Sequence, residues 1–434
     1  MLYVLYDILF YLLTPLIIPY HLYRSLKRGR SLAGFGERFG FIPADKLSRL
    51  AGARTVWIHA VSVGETMAVR PLLKELKRRH PAWRLVLSNG TETGQRIARG
   101  IAEVDLCLYV PFDYRFAVGR ALRAVAPSLV IIVETELWPN FLLAARRRGI
   151  PTVLVNGRIS DRSFPRYRRF CRFFAPVLAE VSAFCMQTEE DARRIVAIGA
   201  PPARVHVARN LKYDLPVAEV GPAERQQLRQ TYAIPAGVSV ITAGSTHPGE
   251  EEQVVAAFAR LRQERPLALV LVPRHPERAA EVGELLRQWG IPFIVRSRLA
   301  SPAAPAPPGT VLLVDTIGEL MKFYALADVV FVGGSLVDTG GHNLLEPASV
   351  GAPVVFGPHM HNFREITALV LEAGAGSQLA DSAALAGELD RLLAAPAQRQ
   401  RMGGAGLQLL ARCGGAAARH LEIIDRLIPA GERS

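Results

Sequence analysis

The chain has 434 residues, half of them apolar, a mean hydropathy of +0.18 and a formal net charge of +13 from 52 basic and 39 acidic side chains. That length exceeds one ordinary core and points to two globular units, while the apolar content excludes a disordered chain. The charge favours anionic partners such as phosphates, nucleic acid or an acidic membrane leaflet without choosing among them, and Cys107, Cys171, Cys185 and Cys413 lack the spacing of a zinc site or disulfide framework.

The opening stretch MLYVLYDILFYLLTPLIIPYHLY holds ~20 mostly apolar residues, near the length of a bilayer-crossing helix, and RSLKRGR follows at once. This pattern predicts an N-terminal membrane anchor over residues 1–30. Arg24, Lys27, Arg28 and Arg30 then put the rest of the chain on the cytoplasmic side. A cleaved signal peptide would want a basic start and a small-x-small cut site, neither of which stands here. Asp7, Pro15 and Pro19 interrupt a simple spanning helix, so a segment lying in the interface stays open, as does a buried core helix.

Beyond residue 50, short apolar runs alternate with helix-length amphipathic stretches: TVWIHAV, RLVLSN, LCLYVP, SLVIIVE, TVLVNG, AFCMQ and VHVARN. That rhythm predicts parallel βα units with both sheet faces covered. A polar, Pro-containing interval after Asn210 reads as an interdomain linker. A second series follows in VSVITAGS, LALVLVP, FIVRS, VLLVDT, VVFVGGS and PVVFGP, interrupted by the Pro/Ala-rich surface loop 300–309. The expectation is an α/β protein of two doubly wound domains facing a cleft: an anchor over 1–30, one domain over 31–212 and another over 213–434.

Open parallel sheets bind ligands beyond the carboxyl ends of their strands, so chemistry is sought in the tails of these runs. There is no GxGxxG opening the first βα unit of either domain, no GxxxxGK[ST] and no DxD, so dinucleotide, P-loop and metal-diphosphate fingerprints are missing. In WIHAVSVGET an apolar run stops at Ser62, and Glu65 then sits at the head of a helix, either as a first-turn acid or as a base offered to a substrate. In the second series, VGGSLVDTGGHNLLEP predicts a strand, a glycine turn and a helix starting near His342 or Asn343. Its free amides would face a phosphate with Glu346 accepting two ribose hydroxyls, or the stretch is a plain βα turn whose N-terminal acid stabilises its own helix. LVPRHPE and DTIGEL bring Arg274, His275, Gly318 and Glu319 to two further strand tails.

The set SVGE, ETELWPN, STHPGEE, VPRHPE, IGEL and GGSLVDTGGHNLLEP, in this order, resembles the 3-deoxy-D-manno-octulosonic acid (Kdo) transferases of lipopolysaccharide assembly. The resemblance spans nearly the whole chain and implies a GT-B glycosyltransferase that takes Kdo from CMP-Kdo and attaches it, with inversion, to a lipid A precursor, releasing CMP. It implies Glu65 as catalytic base and Glu134 as a second functional acid that orients the acceptor or supports Glu65. Arg274 and His275 would meet the CMP phosphate or cytosine, Ile317, Gly318 and Glu319 the nucleotide, and Asn343, Leu344, Leu345 and Glu346 phosphate and ribose. Glu37 and Arg38 in GFGERFGF belong to an acceptor-side loop or to a turn fixing the anchor. Glu136 is an acceptor-side candidate that shares a face with Glu134 only if the strand continues through Thr135. RSFPRYRRFCRFF is either a basic patch docking near phosphorylated lipid or a solvated face with core aromatics.

A CMP leaving group carries one phosphate, which a helix start and Arg274 could stabilise, so no bound metal and no cofactor are expected. The expected partners are CMP-Kdo, a lipid A precursor and the cytoplasmic leaflet of the inner membrane, not nucleic acid. Two rival readings are another GT-B enzyme using a UDP-sugar, as transferase or epimerase, and a non-catalytic, membrane-tethered anion binder; the strand-end acids argue against the second.

Overall fold

The computed structural model describes residues 3, 5–8, 10–12, 14–15, 34–215, 220–299 and 304–428. The chain divides into two compact units, one from Met1–Asp214 with Gly414–Ser434 and the other from Leu215–Cys413.

The first unit is built on β1 (Thr55–His59), β2 (Arg84–Asn89), β3 (Leu106–Tyr109), β4 (Leu129–Val133), β5 (Thr152–Gly157), β6 (Ala183–Met186) and β7 (Val205–Val207). They form a sheet in the order β3-β2-β1-β4-β5-β6-β7, every neighbouring pair parallel. Successive strand residues point to opposite faces, and both faces are covered. Val56 and Ile58 join an apolar cluster with Val69, Leu72, Leu73 and Leu76 of the helix Val63–Arg79. Trp57 joins the opposite cluster with Val118, Ala121, Leu122 and Val125 of the helix Arg115–Val125. Each such large side chain, fully buried, contributes roughly 1.5–3 kcal/mol.

The second unit holds β8 (Ser239–Thr246), β9 (Leu267–Pro273), β10 (Phe293–Val295), β11 (Val311–Leu313), β12 (Val329–Val332), β13 (Val354–Phe356) and β14 (Gly376–Gln378). Their order is β10-β11-β9-β8-β12-β13-β14, again parallel throughout. Ile241 and Ala243 pack to one side of it, and Val240, Val270 and Leu312 to the other.

The division corrects the expected extent 213–434 of the second domain, because the helix Ala416–Leu427 returns to the first unit. Its apolar stripe, Ala416, Ala417, Leu421 and Ile424, lies in the same cluster as Val56 and Ile58. Polar contacts hold both of its ends. The Asp214 carboxylate accepts from Gly415 N at 2.7 Å and Ala417 N at 2.5 Å, and Arg79 reaches Asp425 at 2.6 Å.

Among the described residues no helix is long and apolar enough to cross a membrane, so the expected spanning anchor has no support there; its basic flank lies outside the described residues. The helical residues between 3 and 15 are tied to the first unit by polar bonds. Tyr6 Oη donates to Asp113 at 3.0 Å, Asn140 Nδ2 donates to Asp7 at 2.6 Å, and Asp7 is buried and paired with Arg115. An aspartate buried in such a network is a protein contact and not a lipid-facing group. All four cysteines are free.

Candidate functional site

Both sheets reverse their strand order once, between β1 and β4 in the first unit and between β8 and β12 in the second. A crevice opens at the carboxyl ends of the strands wherever the winding changes direction. The polar side chains of each unit gather at that point.

In the first unit, β1 runs into Ser62, the N-cap of the helix Val63–Arg79, with extended φ −107° and ψ 169°. Ser62 Oγ accepts from Glu65 N at 3.2 Å and donates to Glu65 Oε1 at 2.7 Å, while Val61 N donates to Oε2 at 2.7 Å. This is a capping box in which the acid reaches the N–H of the residue before the cap. Each oxygen keeps a lone pair beyond the one engaged. Glu65 is 7% exposed, and burial pushes its pKa up against the opposing bonds from Ser62 and Val61, with the charge of Glu134 adding to the rise.

β4 ends at Val133, and Glu134 takes a left-handed φ of 59° as its N–H donates to Val155 O at 2.8 Å. The strand therefore does not continue through Thr135. The turn nonetheless brings Glu134 and Glu136 into the field of Glu65. Glu136 accepts from Trp138 Nε1 at 3.1 Å, and burial, then Glu65, then Glu134 push its pKa up to about 7. Lys212 Nζ lies 3.7 Å from Glu134 and offsets part of the negative charge.

His59 closes β1 beneath this group. Its Nδ1 is 3.0 Å from Ser88 Oγ, its Nε2 is buried without a partner among the described residues, and its ring meets that of Trp138 at 6.5 Å. Burial lowers its pKa to about 4, so it stands neutral. His59, Trp138 and Lys212 escaped the sequence reading; the polar end of the TVWIHAV run was the available signal for the first.

Glu37 and Arg38 do not join this cluster. Glu37 is buried, accepting from Tyr109 N at 2.8 Å and pairing with Lys46. Arg38 donates to Gly90 O at 2.7 Å and covers the Tyr109 ring at 4.7 Å. These bonds fix GFGERFGF to the ends of β2 and β3. In RSFPRYRRFCRFF, Arg162, Arg166, Arg168, Arg169 and Arg172 are exposed, while Phe164, Tyr167 and Phe174 pack against the core.

In the second unit three strand tails converge. His247, after β8, stands with its Nε2 2.9 Å from His342 Nε2 and its ring 6.2 Å from that of His275. Arg274, after β9, is exposed and donates through its backbone to Thr246 O at 2.9 Å. Burial first, then Arg274, His247 and His275, lower His342 to about 4, so the close pair shares one neutral N–H···N bond. Burial raises the pKa of Glu346, opposed by Arg274 and by a bond from Asn343.

One expectation changes here, and one candidate acid is found paired. The helix foreseen at His342 or Asn343 begins at Leu345 and lasts one turn, Leu345–Ala348, with Asn343 Oδ1 accepting from Leu345 N at 3.1 Å. So short a helix has little dipole to offer a phosphate. Glu319 is also committed: it accepts from Arg296 Nη2 at 3.0 Å, Tyr232 Oη at 3.0 Å and Thr316 Oγ1 at 2.6 Å. Burial would raise its pKa, but these bonds outweigh burial and hold it low. Ile317 is 87% exposed and Gly318 adopts φ +91°, so this segment presents backbone and an apolar tip.

Residues 33–215 match the family model described as 3-Deoxy-D-manno-octulosonic-acid transferase (kdotransferase). The chain is 34% identical over 422 residues to the 3-deoxy-D-manno-octulosonic acid transferase of Haemophilus influenzae, covering 96% of this chain and 97% of that one. It is 35% identical over 430 residues to the enzyme of the same description from Bordetella pertussis, covering 95% and 96%. Among solved structures, the UDP-GlcNAc 2-epimerase of Neisseria meningitidis bound to UDP-GlcNAc superposes with a TM-score of 0.56 at 14% identity, covering 86% of this chain and 100% of that one. That last likeness is one of fold.

Proposed function

The chain belongs to the Kdo transferase family and is a glycosyltransferase, and from that premise we propose a GT-B enzyme that moves Kdo from CMP-Kdo to a lipid A precursor with inversion. The second unit takes the donor and the first the acceptor. Glu65 removes the proton from the acceptor hydroxyl, whose oxygen forms the new bond to the anomeric carbon of Kdo. The bond from that carbon to the phosphate oxygen breaks on the opposite side, and CMP leaves with the electron pair. A pKa raised by burial makes Glu65 a stronger base than an ordinary carboxylate. Glu134 and Glu136 set the field around it.

The cationic Arg274 beside the neutral His247–His342 pair receives the phosphate, and Asn343 to Glu346 meet the nucleoside. The observation that carries the reading is the coincidence of the acid group and the basic group with the winding reversals of the two sheets. No metal or cofactor takes part in this scheme.

Attachment to the cytoplasmic leaflet is proposed as interfacial. Leu5, Ile8, Tyr11 and Leu12 are exposed on the N-terminal helical segment. Tyr11 packs on Tyr114 at 5.2 Å, Tyr114 stacks on Phe116 at 5.5 Å, and Arg120 covers the exposed Phe41 at 4.4 Å. Apolar and aromatic tips rimmed by arginine suit a headgroup layer.

The test is product formation from CMP-Kdo and a lipid A precursor by the intact protein, read by mass spectrometry beside a screen of UDP-sugars. A mass increase of one or more Kdo units is expected. Consumption of a UDP-sugar with CMP-Kdo ignored would overturn the donor assignment.

A further inference from the structure

We propose that Glu250 is the positioning residue of the donor half-site, clamping the tail of β12 to the tail of β8 across the point where the second sheet reverses its winding; this rests on the donor reading above. Glu250 lies in STHPGEE and is fully buried, at 0% exposure. Its Oε2 accepts from His247 N at 2.9 Å and Gly334 N at 2.7 Å. Its Oε1 accepts from Ser335 N at 3.0 Å and Leu336 N at 2.9 Å. A buried carboxylate is costly unless its lone pairs are met, and here four backbone donors meet them.

Three successive amides converging on one carboxylate form an anion nest of the kind that holds phosphates elsewhere. In this chain the nest is filled from within. The glycine turn thus does not offer the amides of Gly334–Leu336 to the donor; it spends them on fixing its own shape. Gly333 and Gly334 make the approach feasible, since a Cβ on Gly333 would stand 2.5 Å from Ser245 O and one on Gly334 2.8 Å from Thr339 Oγ1.

The clamp reaches the functional groups through two short paths. On one side it fixes the backbone of His247. On the other, Gly334 O accepts from Gly341 N at 2.7 Å and Thr339 Oγ1 at 2.9 Å, which sets the residue before His342. The 2.9 Å contact of the two histidines closes the loop. The neighbouring Glu251 has a separate task, accepting from Arg278 Nη1 at 2.7 Å.

The full-length protein and its Glu250→Gln, Glu250→Asp and Glu250→Ala variants are compared for CMP binding by titration calorimetry, for KM and kcat with CMP-Kdo, and for folding by circular dichroism. Gln turns an amide group toward two N–H donors and Asp withdraws the carboxylate by one methylene, so each variant weakens CMP by about tenfold or more. The donor KM rises in parallel, with a much smaller change in kcat. Formate, entering the vacated nest of Glu250→Ala, restores CMP binding where chloride does not. Wild-type CMP affinity in any folded variant overturns the clamp, and so does loss of folding in all three, which would make Glu250 a general stability residue. A parent protein that binds no CMP instead refutes the donor reading itself.

Discussion

Glu65 closes a capping box and is also the proposed base, and one pair of substitutions separates the two roles. In Glu65→Gln the amide oxygen still accepts from Val61 N and the amide nitrogen can donate to Ser62 Oγ, so the box survives with its donors rearranged. Burial raises the Glu65 pKa above its unfolded value, so the ionised carboxylate costs stability as pH rises through that range; the neutral amide removes this cost. The variant is therefore at least as stable as the parent near pH 8. As base, however, Glu65 is worth roughly 10²–10⁴-fold in rate, which corresponds to ~3–5 kcal/mol of barrier. Ser62→Ala has the converse profile: it deletes the hydroxyl that bonds both Glu65 N and Oε1 and costs about 1 kcal/mol of stability, yet keeps the carboxylate. The assays are urea denaturation and kcat/KM with saturating acceptor. Glu65→Gln retaining a tenth or more of parental activity would reduce Glu65 to a helix-start acid.

Glu134→Gln removes a negative charge near Glu65 and Glu136, so both pKa values fall and the acidic limb of the pH–rate profile moves to lower pH; an unmoved limb would mean that neither acid governs it. Activity survives in chelator and metal-free buffer, and loss restored by a single divalent ion would contradict the proposed scheme. Ile424→Ala, at a fully buried position, costs ~2–5 kcal/mol and lowers the unfolding transition of the first unit without moving that of the second, followed by urea titration with limited proteolysis. Leu5→Ser with Leu12→Ser, at positions 62% and 70% exposed, lowers binding to anionic phospholipid vesicles about tenfold or more without changing thermal stability; unchanged flotation would remove this segment from the docking surface.

The strands were legible because a parallel sheet covered on both faces demands uninterrupted apolar runs. RLVLSN, TVLVNG and LALVLVP coincide with β2, β5 and β9. β14 escaped because Gly376–Gln378 is a short polar edge strand with little to bury. Glu65 and Glu134 could be found because each follows such a run. The pairing of Glu319 was not legible for a physical reason: its partners Arg296 and Tyr232 are distant in sequence, and nothing local marks an acid as already paired. The destination of the C-terminal helix was hidden likewise, since an apolar stripe announces that a face will be buried without saying against which sheet. Glu250 stood in a motif that carried the family resemblance, yet its four donors come from backbone, which no side-chain pattern records.

The return of Ala416–Leu427 to the first unit bears on how the protein is made. The second unit is continuous in the chain, whereas the first is split around it. A ribosome adding ~5–20 residues per second needs about 10–40 s for the intervening ~200 residues. Through that interval the first sheet waits with Ala183 and Cys185 of β6 uncovered on that face, because the helix that completes the cover is synthesised after the second unit. Translation thus places the completed second unit ahead of the completed first, and the nascent first sheet is the surface a chaperone would have to shield.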